Sequence, residues 1–83
     1  MNLETVPLGT MWRVKSVHED PFDHEKGVHL EEIGFLEGEL VSVLVRAFPG
    51  DDPMVVRVGH STFALRRVEA RCVEVEQIGR AHV

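Results

Sequence analysis

Turn-forming residues recur so often along this chain that no long regular element fits between them. Pro7 and Gly9, Asp20-Pro21, Gly34, Gly38, the run from Pro49 to Pro53, and Gly59 cut it into segments of strand length. Punctuation of this kind predicts a mainly β fold: about five short strands, with one helix between the first two. This pattern suggests a small barrel, whose closure also removes the exposed edges that make short strands sticky. The chain has 83 residues, enough for one domain near the lower limit of independent folding.

The first strand is expected over 10–17, where Trp12 and Val14 share a face opposite Arg13 and Lys15. Asp20 before Pro21 reads as a helix N-cap, with Asp23 near the positive end of the helix dipole and Gly27 weakening its middle. The helix stop is sharper. Gly34 follows Leu30-Glu31-Glu32-Ile33, and glycine adopts the left-handed conformation a stop requires. Leu30 and Phe35 then occupy the two positions whose side chains touch in a Schellman motif.

A strand over 39–48 alternates Val41, Val43 and Val45 with Ser42, Leu44 and Arg46, so the three valines are expected on one face. Leu44 and Phe48 on the other face suggest that both sides are partly covered, as in a barrel. The 49–53 turn leads into a partner strand over 54–58. Another strand is expected over 61–65, a single helical turn over 66–70, and a last strand over 71–76 with Val73 and Val75 inward.

Chemistry is sparse. There is no glycine-rich phosphate cradle, no Cys-x-x-Cys and no His-Glu-x-x-His, and no serine sits in a nucleophile context, so the chain reads as a binding module and not an enzyme. Cys72 is the only cysteine and reads as a small apolar residue. The net charge of −5 argues against nucleic-acid binding, and Arg66-Arg67 is too short to reverse it. No apolar run is long enough to span a bilayer and the first residues lack a signal-peptide layout, so a cytoplasmic protein without membrane insertion is expected.

One polar constellation stands out: His18, Glu19, Asp20, Asp23, His24, Glu25 and His29. Imidazole and carboxylate together suit iron or zinc, and Glu25 and His29 are one helical turn apart. The spacing matches no specific site, so solvated surface is the main reading. His24, Glu25 and His29 are kept as weak candidates for a divalent metal, and no other cofactor is expected.

Two blocks carry a family resemblance. The first is His29-Leu30-Glu31-Glu32-Ile33-Gly34-Phe35-Leu36-Glu37-Gly38, followed by Val41 and Val43. The second is Gly50-Asp51-Asp52-Pro53, Val56-Arg57-Val58-Gly59 and Ala64-Leu65-Arg66-Arg67-x-Glu69-Ala70, ending in Val73 and Val75. Together they resemble FeoA, the small protein of bacterial ferrous iron uptake, over roughly 8–76. Glu37 stands where that family often has proline, His29 where a basic residue is common, and Asp52 is extra in its turn. The resemblance implies an SH3-like barrel without catalytic residues, acting as accessory to FeoB, a membrane transporter with a cytosolic GTP-binding domain. Expected contacts with that partner are Phe35, Leu36, Glu37, Met54 and Arg67. The alternative is a metal-responsive regulatory module, similar to the C-terminal SH3-like domain of iron-dependent repressors. The oligomeric state is left open. Residues 77–83 fall outside the pattern. Back-translated, Ile78-Gly79-Arg80-Ala81-His82-Val83 looks like read-through into a sequencing adapter, so a non-native tail is expected.

Overall fold

Valine-rich segments bounded by turns become strands, as their residue preferences dictate. The computed structural model describes residues 1–18, 24–47 and 53–78, with the side chains of 24–27 outside the description. The expected cap at Asp20, with Pro21 and Asp23, therefore lies outside the described residues, as do Phe48, the turn residues 49–52 and the tail from Gly79. The elements are β1 (Trp12–Val17), α1 (His24–Glu32), β2 (Leu40–Arg46), β3 (Met54–Val58), β4 (Ser61–Leu65), α2 (Arg67–Ala70) and β5 (Val73–Glu76). The five strands form one antiparallel sheet in the order β4-β3-β2-β1-β5.

The helix stop forms as the residues require. Phe35 N–H donates to the Leu30 carbonyl at 3.0 Å and Gly34 N–H to the Glu31 carbonyl at 3.1 Å, the two bonds of a Schellman motif. Gly34 has φ +123°. Leu30 and Phe35 are both fully buried, and the Phe35 ring meets Phe63 with centroids 6.5 Å apart. A Cβ on Gly34 would lie 3.7 Å from Val58 Cγ1, which is ordinary contact, so only the backbone resists substitution. Gly34→Ala is expected to cost about 1 kcal/mol from backbone strain alone. A urea melt of the variant checks this; an unchanged midpoint would mean that the stop tolerates a side chain.

The β2 alternation departs from expectation at one point. Val43 pairs with Val56, but Val45 pairs with Val55, so Leu44 is an extra residue in β2. This bulge reverses the faces beyond it. Val45, expected inward, is 52% exposed, and Arg46 shares the inner row with Met54 and Leu65.

Among the described residues no strand pairing closes the sheet. β4 and β5 are its two edges, and α2 bridges them in sequence. The N-terminal segment lies along the β5 edge instead. Leu3 N–H donates to the Val73 carbonyl and Val75 N–H to the Met1 carbonyl, with Asn2 bridged to Glu74. This segment, which the resemblance left outside the barrel, is part of its core: Leu3 and Val6 are buried with Val14, Val41, Val43, Val56 and Val73. The inward-turned Arg46 fixes it by donating to the carbonyls of Glu4 and Val6. Glu4 in turn accepts from Arg67 at 3.0 Å and Arg71 at 2.9 Å, tying the segment to α2.

Candidate docking surface

The turn joining α1 to β2 is exposed from Leu36 to Leu40 yet held by backbone hydrogen bonds. Glu39 N–H donates to the Leu36 carbonyl, closing the turn, and Gly38 has φ +93°. A reciprocal pair then clamps the turn to β1: Gly38 N–H donates to the Val14 carbonyl and Val14 N–H to the Glu39 carbonyl, each at 2.8 Å. Val14 is itself fully buried. The outcome is a fixed knuckle that holds Leu36, 51% exposed, and Glu37 in solvent.

The expected partner contacts divide accordingly. Leu36 and Glu37 lie together on this knuckle. Phe35 and Met54 do not belong to any surface, and their assignment as contacts is corrected: both are fully buried. Phe35 is turned inward by the Schellman stop, and Met54 by its alternation with Val56 and Val58 along β3. Arg67 is partly exposed but is engaged with Glu4, away in sequence from the knuckle.

Below the knuckle the outer face of the sheet carries an open groove of about 530 Å³. Met11 and Leu40 form its apolar walls, Ser42 its floor, and Glu39, Arg57 and His60 its rim. The sequence reading missed it. The groove is assembled by the pairing of Ser42 with Arg57, and cross-strand neighbours leave no local signature.

The electrostatics concentrate on two carboxylates. Hydrogen bonding from Arg71, with Arg67 assisting against the effect of burial, holds the Glu4 carboxyl down at about 2. Glu74 is lowered as well, chiefly by the N-terminal ammonium 2.6 Å away. His18 Nε2 lies 3.5 Å from Glu74, but among the described residues no three histidine, cysteine or acidic groups converge as a metal site would need. His29 is exposed at the end of α1, while the side chains of His24 and Glu25 lie outside the described residues. The described residues therefore do not assemble a site for iron or zinc. Among them, too, no helix is long and apolar enough to cross a membrane.

A family model described as the FeoA domain matches residues 1–77. No curated protein matches the chain. Among solved structures, FeoA from Stenotrophomonas maltophilia in complex with zinc is 37% identical, with a TM-score of 0.83 over 92% of this chain and 89% of that one. Iron(II) transport protein A from Clostridium thermocellum is 31% identical, with a TM-score of 0.81 over 94% of this chain and 46% of that one. A manganese-dependent transcriptional repressor superposes with a TM-score of 0.79 over 94% of this chain and 41% of that one, and at 18% identity the likeness shows the fold alone. The fold is SH3-like, as the sequence resemblance implied.

Proposed function

The chain belongs to the FeoA family, which is associated with ferrous iron transport, and from that premise we propose that it is an accessory protein of bacterial ferrous iron uptake that docks onto the cytosolic part of a FeoB-type membrane GTPase. The observation that carries this reading is the clamped knuckle. A large apolar side chain, Leu36, is held half in water by bonds to a fully buried strand residue, which is how a protein presents an anchor to a partner. The S. maltophilia relative is described as an SH3 domain protein proposed to activate ferrous iron transport, which agrees with the reading. On this view the protein works in the cytoplasm by contact and contributes no catalytic group.

A capture experiment tests it. The immobilised chain is expected to retain the purified cytosolic part of the transporter, and Leu36→Asp is expected to weaken retention about tenfold while leaving the melting curve within about 0.5 kcal/mol of wild type. No retention by the wild type would sink the proposal. A second reading, a metal-responsive module, is favoured by the zinc bound to the S. maltophilia relative. It requires that capture depend on zinc or ferrous ion, whereas docking alone proceeds in the presence of a chelator.

A further inference from the structure

The groove under the knuckle holds an unused cation. Arg57 sits on its rim, exposed, and its side chain makes no hydrogen bond or ion pair among the described residues. The other arginines whose contacts are seen, Arg46, Arg67 and Arg71, are all committed to the N-terminal segment. Ser42, directly across from Arg57, is only 5% exposed, yet its hydroxyl has no hydrogen-bond partner among the described residues. The hydroxyl opens onto the groove and is available to an occupant; the buried side-chain atom left without a partner among the described residues is Arg13 Nε. The walls on the same groove are Met11, 52% exposed, and Leu40, 40% exposed.

These groups suit one kind of occupant. A guanidinium beside a hydroxyl recognises a carboxylate. Apolar walls recognise an apolar side chain next to it, which a free inorganic anion lacks. Gly59 also lines the groove, where a Cβ would come within 3.3 Å of Glu39 Oε2. A groove of about 530 Å³ has the volume of a small-ligand or short-peptide site. Two copies of a chain with net charge −5 repel one another.

We propose that this groove seats a short extended segment of the docking partner, with an apolar side chain between Met11 and Leu40 and an adjacent carboxylate on Arg57 and Ser42. The proposal rests on the docking reading and extends it from the Leu36 knuckle to a second contact that sets specificity by charge.

The test uses the full chain, isotopically labelled and titrated with the purified cytosolic part of the transporter. Amide signals of Leu40, Ser42 and Arg57 are expected to shift on binding. Arg57→Glu is expected to weaken affinity about tenfold or more, Arg57→Lys to retain most of it, and higher salt to narrow the difference. Because Arg57 is exposed, a thermal melt of Arg57→Glu matching wild type confirms that folding is intact. Wild-type binding that Arg57→Glu leaves unchanged, with shifts confined to Leu36 and Glu37, overturns the groove but keeps the docking reading. No binding by the wild type overturns both. Equal shifts with inorganic phosphate alone, or shifts that grow with the chain's own concentration, assign the groove to a simple anion or to a second copy and overturn the proposal.

Discussion

Phe35→Ala is expected to destabilise the chain by about 3–5 kcal/mol, read as a fall in the urea midpoint, while Leu36→Ala beside it is expected to change stability by no more than about 0.5 kcal/mol. The contrast follows from the Schellman stop. Phe35 is fully buried, meets Leu30 across the stop and Phe63 across the core, and leaves a large cavity when truncated. Leu36 is half in solvent. A chain of this size has total stability of the order of 5–10 kcal/mol, so Phe35→Ala removes a large part of it. The pair also guards against a misreading. Both substitutions should lower partner capture, but only Leu36→Ala should do so in a chain that still melts like wild type. An unchanged midpoint for Phe35→Ala would refute its burial.

Glu4→Gln is expected to cost about 2 kcal/mol at neutral pH, because its carboxylate joins two arginines to the N-terminal segment. The full pKa displacement would suggest more, but the guanidinium groups are about half exposed and screening by solvent reduces the value. The pH dependence has a definite sign. Glu4 titrates lower in the folded chain, at about 2, than its ordinary value of 4.5, so the folded state favours the ionised form. Its contribution is fully present above about pH 4.5 and is lost as pH falls through about 2. Thermal melts of wild type and Glu4→Gln across this range should therefore converge toward the acid end. Curves that stay equally separated down to pH 2 would show that the ion pairs are not the source of the difference.

Much of the sheet was legible because its signals are local. The 54–58 and 61–65 strands emerged with the bounds expected, and Gly34 ended α1 where a glycine following Ile33 must. The errors share a cause in distance along the chain. Leu44 becomes an extra residue only relative to β3, so nothing within 39–48 could show that Val45 would turn outward and Arg46 inward, whereas Met54 faces inward by simple alternation with Val56 and Val58. Glu4 meets Arg67 and Arg71 across some sixty intervening residues, and no spacing rule reaches that far. Among the docking candidates, Phe35 and Leu36 are adjacent apolar residues, and the Schellman pairing of Phe35 with Leu30 read at the Gly34 stop is what separates core from surface. The groove was invisible because its cation and its floor lie on different strands.

The strip of chain along the β5 edge also governs how the molecule assembles. Leu3 bonds Val73, so the edge is covered by residues some seventy positions away along the chain. Contacts this far apart in sequence carry the largest loop-closure entropy and form late. The β1–β2–β3 meander can pair on its own, but Leu3 has no strand edge to pair with until β5 arrives. Seating of the N-terminal segment is thus expected to be the final, rate-limiting event of folding, after which Glu4 and Arg46 lock both ends of the chain into one cooperative unit.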